Sequence, residues 1–167
     1  VVGSMTEALK VDSGNARDFA RLKEIFRASS LQMVSFTITE KGYSLVRGDG
    51  SLLPDVAADL KAGPTAPNSY IGKLVALCYE RYLAGALPLA LVSMDNCSHN
   101  GDKLRSAVTA FADAWSQNGL AEPGFAAYIA DPSKISFPWS MIDKITPRPD
   151  EDVKRMLLDC GFEDAEG

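Results

Sequence analysis

Residues 87–96 read Leu-Pro-Leu-Ala-Leu-Val-Ser-Met-Asp-Asn, and Ser-His-Asn-Gly follows at residues 98–101. An apolar run of this length without alternation is typical of a strand that is buried on both faces, as in a parallel sheet. The run ends abruptly at Asp95 and Asn96, and the pair Asn100-Gly101 predicts a turn into a helix. In open α/β sheets, ligands bind outside the carboxyl ends of the strands. We therefore expect Asp95 and Asn96 at a ligand-binding edge.

Strands and helices are predicted to alternate along the rest of the chain. Apolar residues at helical spacing predict helices over residues 16–28, 70–85, 102–117 and 149–158. Runs of β-branched and apolar residues predict further strands over residues 31–38 and 134–137, and Gly48-Asp49-Gly50 predicts a tight turn. Phe111 and Trp115 fall on the inward face of one helix. This order predicts an α/β fold, built from parallel βαβ units with right-handed crossovers, in a single domain.

Polar side chains follow three of the predicted strands. Thr39 and Glu40 come after the first, Asp95 and Asn96 after the second, and Asp143 shortly after the third. Because the carboxyl ends of parallel strands lie on one edge of a sheet, we expect these side chains to converge, although each alone could be a turn former. An amide such as Asn96 can donate a hydrogen bond to a developing oxyanion, but it cannot act as a base.

Composition and charge argue against several classes of protein. The 167 residues carry 22 acidic and 17 basic side chains, a net charge of -5, and the basic residues are scattered, which argues against nucleic-acid binding. No apolar stretch approaches the roughly 20 residues of a membrane span, and no signal sequence is recognisable. Three widely spaced cysteines indicate neither a disulfide framework nor a zinc ribbon. We therefore expect a cytoplasmic protein that binds neither membranes nor nucleic acid.

The residues alone leave two other functions open. His99 is the only histidine, so a Ser-His-Asp triad or a histidine-containing metal site would depend on this residue. A metal-dependent hydrolase could use Asp95, His99 and Asp143, whereas a solvent-exposed histidine at a helix entry is the simpler interpretation. Neither a Gly-x-Gly-x-x-Gly nor a Gly-x-x-x-x-Gly-Lys-Ser/Thr motif occurs, so the phosphates of a nucleotide would be bound elsewhere. A non-catalytic α/β binding or interaction module is the second alternative.

Five segments, in order along the chain, carry a resemblance to a known family. They are VGSMTEAL at residues 2–9, VSFTITEKGY at 34–43, PTAP at 64–67, SMDN at 93–96 with the nearby Asn-Gly pair, and FPWSMIDKITP at 137–147. Together they resemble the long-chain polyol and mannitol dehydrogenases, and in particular the fructuronate reductase (mannonate oxidoreductase) branch. Met94 and Lys144 stand where that family commonly has Cys and Arg. The resemblance implies a Rossmann-like domain with a parallel sheet and flanking helices.

The same resemblance implies a function and residue roles. It implies a metal-free reaction in which hydride transfer to or from NAD interconverts a keto sugar acid or ketose and the corresponding alcohol. Asn96 matches the catalytic amide that completes an oxyanion hole beside a lysine, and Asp143 matches an aspartate of the substrate pocket. Thr39 and Glu40 match residues on the dinucleotide side of the cleft, and we place Asp95 with them as a cofactor-binding residue.

Two parts of the family pattern do not occur in residues 1–167. One is the glycine-rich phosphate-binding segment, and the other is the helical carboxyl-terminal domain with the catalytic lysine. We therefore expect the chain to be the later part of an NAD-binding domain that lacks its first βαβ unit. By itself this part should be inactive, and its uncovered faces should favour self-association. The preferred keto sugar and the choice between NAD and NADP stay open.

Overall fold

A computed structural model describes residues 3–143 and 150–162. The elements, in chain order, are α1 (Ala16–Arg27), β1 (Met33–Phe36), a 3-10 helix (Glu40–Tyr43), α2 (Pro54–Ala62), α3 (Tyr70–Leu83), β2 (Leu89–Ser93), α4 (Asn100–Gln117), α5 (Gly124–Ala130), β3 (Ile135–Ser136) and α6 (Glu151–Asp159). Val1, Val2, Lys144 and the predicted helix start at Pro149 lie outside the described residues.

The described strands form one parallel sheet in the order β1-β2-β3. Met33 of β1 pairs with Ala90 of β2, and Leu89 of β2 pairs with Ile135 of β3. Strand β2 is fully buried on one face only: Leu89, Leu91 and Ser93 are buried, whereas Ala90 and Val92 on the opposite face are partly exposed, so the expected burial on both faces is wrong. The parallel pairing brings the carboxyl ends of the strands to one edge and confirms the predicted α/β architecture.

Helices α3 and α4 supply much of the core. Phe111 and Trp115 of α4 are completely buried, which confirms their predicted inward position. The indole N–H of Trp115 donates a hydrogen bond to the carbonyl of Asp59 at 3.0 Å, so α4 also fixes α2. Helix α3 begins after Ser69, whose hydroxyl accepts a hydrogen bond from the N–H of Gly72. These contacts place the helices that support the carboxyl edge.

The structure corrects the sequence prediction at two helices and one turn. Helices α2 and α5 were not predicted: α2 starts at Pro54 without a side-chain cap, and α5 is a seven-residue helix that starts at Gly124. Asn100 and Gly101, predicted to form a turn, are the first two residues of α4, and both are buried. A Cβ atom at Gly101 would lie 2.6 Å from the carbonyl oxygen of Phe137. Glycine therefore allows α4 to start against the segment that follows β3.

Arg81 connects the chain segments that lead into β1 and β2. Its side chain is almost completely buried and donates hydrogen bonds to five backbone carbonyls. These are the carbonyls of Phe26, Ala28 and Leu31, which precede β1, and of Leu87 and Pro88, which precede β2. A guanidinium offers five N–H donors in a rigid plane, and Arg81 thus provides partners for carbonyls that lie outside the regular ladders.

Candidate active site

The carboxylate of Asp95 joins the carboxyl ends of β1 and β2. One carboxylate oxygen accepts a hydrogen bond from the N–H of Thr39 and the other from the N–H of Ile38, both at 2.9 Å. The hydroxyl of Tyr43 donates a hydrogen bond to the second oxygen and lies 2.6 Å from the hydroxyl of Ser93. Asp95 is only 7% exposed. We call these five residues the Asp95 junction.

Charge and hydrogen bonding determine which group donates within the junction. Burial alone would raise the pKa of Asp95, but the hydrogen bonds from Tyr43, Ile38 and Thr39 outweigh it and hold that pKa below its usual value. The pKa of Tyr43 is raised by burial and by the neighbouring carboxylate of Asp95. At neutral pH, Asp95 is therefore an ionised acceptor and Tyr43 a neutral donor.

Thr39 has a strained backbone at this edge. Its φ of 63° and ψ of 161° fall in a region that is essentially reserved for glycine. A β-branched residue in such a conformation costs on the order of 1–3 kcal/mol and persists only where the surroundings fix it. The N–H of Thr39 is held by Asp95, and its carbonyl accepts a hydrogen bond from the N–H of Gly42 at 3.0 Å. The side chain of Thr39 is exposed at the carboxyl edge of the sheet.

Glu40 borders a cleft of about 520 Å³ between the 3-10 helix and α4, which we call the Glu40 cleft. The ammonium of Lys103 donates a hydrogen bond to the carboxylate of Glu40 at 2.5 Å. This hydrogen bond and the positive charge of Lys103 lower the pKa of Glu40. Tyr43 also lines the Glu40 cleft, together with Ser106 of α4. Tyr43 therefore connects this cleft to the Asp95 junction.

Asn96 and Asp143 line a second open cleft, of about 460 Å³. Both side chains are exposed. The rings of His99 and Trp139, on the wall of the same cleft, contact edge to face with their centroids 4.4 Å apart. The structure thus brings together two of the residues singled out in the sequence, and we call this cavity the Asn96 cleft. Thr39 and Glu40 border other clefts.

Asn100 is a site residue that the sequence did not single out for a role. Its side chain is buried, and its amide nitrogen donates hydrogen bonds to the hydroxyl of Ser140 at 2.8 Å and to the carbonyl of Asp95 at 3.2 Å. Its amide oxygen accepts a hydrogen bond from the N–H of Ser140 at 3.2 Å. Asn100 therefore fastens the segment that carries Asp143 to the end of β2. The sequence signal was the Asn-Gly pair, which predicts only a turn.

Two further observations concern residues 3–143 and 150–162. In this part of the chain, no three His, Cys, Asp or Glu side chains are placed to hold a metal ion together. The helices described there are all too short or too polar to cross a lipid bilayer.

Comparison with known proteins identifies the domain type. The family model described as the mannitol dehydrogenase Rossmann domain matches residues 2–163. The D-mannonate oxidoreductase of Thermotoga maritima is 48% identical over 166 residues, which are 99% of this chain and 30% of that protein. The D-arabinitol 4-dehydrogenase of Ralstonia nicotianae is 40% identical over 151 residues, which are 88% of this chain and 30% of that protein.

Solved structures agree with the sequence comparison. The mannitol 2-dehydrogenase of Pseudomonas fluorescens, solved as a ternary complex with NAD and D-mannitol, superposes with a TM-score of 0.64 at 30% sequence identity. The superposition covers 94% of this chain and 30% of that one. The present chain therefore spans about 30% of the length of the relatives that it matches.

Proposed function

This chain belongs to the mannitol dehydrogenase family, whose Rossmann domain it matches, and we propose that the protein that contains it uses NAD to interconvert a sugar-derived carbonyl compound and the corresponding alcohol. The observation that carries this proposal is the carboxyl edge of the parallel sheet. There the exposed amide of Asn96 and the carboxylate of Asp143 share one cleft. Open α/β sheets bind dinucleotides at this edge. We infer that residues 1–167 are the later part of the dinucleotide-binding domain.

The residues at the edge suit NAD, which supplies a hydride acceptor when it is bound. We assign Thr39 and Glu40 to the dinucleotide side, because both are exposed at the carboxyl edge beside the Asp95 junction. We assign Asp95 an indirect role in cofactor binding, since both of its carboxylate oxygens accept hydrogen bonds from within the domain. It would act by fixing the backbone of Thr39.

We assign Asn96 and Asp143 to the substrate. The amide N–H of Asn96 would donate a hydrogen bond to the substrate oxygen, and this bond strengthens as negative charge develops on that oxygen. Asp143 would accept hydrogen bonds from substrate hydroxyls. Asn96 cannot remove the hydroxyl proton, so alcohol oxidation needs a base from a part of the protein beyond these residues. The chain alone is therefore expected to be inactive.

The similarity to a D-mannonate oxidoreductase supports a sugar acid of the fructuronate and mannonate type as the substrate. The test is NADH oxidation by the product of the complete reading frame that encodes this chain, assayed with fructuronate, tagaturonate and fructose. We expect the highest kcat/KM with fructuronate. A higher value with fructose would contradict the sugar-acid assignment, and no turnover with any of the three would contradict the proposed function. The 167-residue chain itself should give no measurable NADH oxidation.

One observation favours self-association as a second property. Helix α6 has no buried residue and packs against no other described element. Its exposed apolar side chains, and one just beyond its end, are Val153, Met156, Leu157, Leu158 and Phe162. Apolar surface of this kind favours association. Light scattering of the purified chain tests the idea: we expect a mass that rises with concentration, and a monomer throughout would contradict it.

A further inference from the structure

Tyr43 lies at the carboxyl edge but has no role in the mechanism proposed above. It is 5% exposed, at the end of the 3-10 helix that begins with Glu40. Its hydroxyl contacts Ser93 and donates a hydrogen bond to Asp95, and Tyr43 also lines the Glu40 cleft. Tyr43 thus joins the Asp95 junction to the cleft that Glu40 borders.

The hydrogen bonds around Thr39 show what this contact controls. Asp95 can hold the N–H groups of Ile38 and Thr39 together only while its carboxylate plane keeps one orientation. The hydroxyl of Tyr43 fixes that orientation from the side of the second oxygen. Gly42 secures the carbonyl of Thr39 from within the 3-10 helix. The strained backbone of Thr39 is therefore held on both sides, and one side depends on the phenol.

We propose that Tyr43 is a positioning residue that, through Asp95, holds Thr39 and Glu40 in the arrangement that binds the dinucleotide. This inference rests on the proposed function for the identity of the ligand. Its physical content is that the strained backbone is pre-organised, so binding does not have to pay for ordering it. Without the phenolic hydroxyl, Asp95 can rotate and Thr39 can relax toward an ordinary backbone conformation.

The chain offers a matched control for testing Tyr43. Tyr128 is also 5% exposed, and its hydroxyl donates a hydrogen bond to the carbonyl of Leu87 at 2.7 Å, near the amino ends of the strands. Tyr43→Phe and Tyr128→Phe each remove one buried phenolic hydroxyl. Only Tyr43→Phe changes the Asp95 junction. Both variants should lose some stability, but only Tyr43→Phe should also lose the fixed position of the Thr39 backbone.

The first readout is steady-state kinetics of the complete NADH-oxidising enzyme. Tyr43→Phe should raise the KM for NADH about fivefold, the effect of losing one hydrogen bond from a pre-organised site, with kcat within about twofold of wild type. The KM for the keto substrate should stay unchanged, and Tyr128→Phe should change neither KM. An unchanged KM for NADH in an active Tyr43→Phe enzyme would overturn the inference, as would an equal rise in Tyr128→Phe.

The second readout does not need activity and separates this inference from the proposed function. Amide hydrogen exchange in the complete enzyme without bound NADH should be about fivefold faster at Thr39 in Tyr43→Phe than in wild type, since the N–H loses a fixed acceptor. Exchange at Ala90, whose N–H donates to the carbonyl of Gln32, should be unchanged. Unchanged exchange at Thr39 would refute the coupling through Asp95. A wild-type enzyme without NADH oxidation would refute the proposed function alone.

Discussion

Two buried charges hold β1 and β2 together at opposite ends, and they differ in what surrounds them. Arg81, at the amino ends, donates to five backbone carbonyls. Asp95, at the carboxyl ends, accepts from two backbone N–H groups and from Tyr43. Exposed polar side chains and the strained Thr39 occur beside Asp95. A buried charge therefore supports the scaffold at the amino ends, and at the carboxyl ends it also supports the edge that we propose binds the ligands.

The largest loss of stability is expected at the amino end. Arg81→Met removes five donors from buried carbonyls and should lower the free energy of unfolding by about 3–5 kcal/mol. Urea unfolding followed by circular dichroism measures the change. Arg27→Met is the matched control, because Arg27 is half exposed and pairs with Glu80 on the surface, where such pairs contribute less than about 1 kcal/mol. Equal losses in the two variants would contradict the claim that the buried hydrogen bonds of Arg81 stabilise the fold more than the surface ion pair of Arg27 does.

A smaller, pH-dependent loss is expected at the carboxyl end. Asp95→Asn should lower the free energy of unfolding by about 2–3 kcal/mol at neutral pH, because an amide cannot accept from both N–H groups. The native pKa of Asp95 lies below its usual value of 3.8, so its ionised form stabilises the fold above that value. That stability is lost as the pH falls through the native pKa.

Urea unfolding of wild type and Asp95→Asn across the acid range tests this prediction. The difference between the two proteins should be constant near neutrality and shrink as the pH falls below 3.8. A difference that does not change with pH would mean that the carboxylate charge of Asp95 contributes nothing to holding the strand ends.

Close packing of α4 against the segment after β3 gives the next effect. Gly101→Ala places a Cβ atom 2.6 Å from the carbonyl oxygen of Phe137 and 2.9 Å from that of Pro138, so backbone must move. We expect thermal unfolding to report a loss of about 1–3 kcal/mol. Gly48→Ala is the control, because a Cβ there meets open space. Equal stability of the two variants would show that α4 does not need glycine at residue 101 to pack against the segment after β3.

The smallest expected effect is a gain in stability rather than a loss. Thr39→Gly relieves the backbone strain but adds freedom to the unfolded chain, and we expect a net gain of about 1 kcal/mol in the free energy of unfolding. Thr37→Gly, two residues earlier, has no strain to relieve, since its φ is not positive, and should lose about 0.5–1 kcal/mol. A loss in Thr39→Gly would show that the strain is not stored at this residue.

Local signals in the sequence predicted the strands, the helices with strong apolar periodicity and the polar strand ends. Helix α2 was not predicted because only Val56 and Asp59 of its nine residues are buried, so its sequence shows little apolar periodicity. The sequence could not say that Asp95 faces inward, because its partner Ile38 lies 57 residues away. The role of Arg81 was hidden for the same reason, since Phe26 is 55 residues distant.

The central claim is that buried Asp95 holds the strand ends together while exposed Asn96 contacts the substrate, and substitution of Asn96 tests this claim most directly. Asn96→Ala should leave the free energy of unfolding within about 0.5 kcal/mol of wild type, because the side chain is exposed. In the complete enzyme, the same substitution should lower kcat for NADH oxidation about 10²–10³-fold, the usual effect of removing one oxyanion donor. A kcat within about threefold of wild type, with the fold intact, would contradict the assignment of Asn96 to the reacting oxygen.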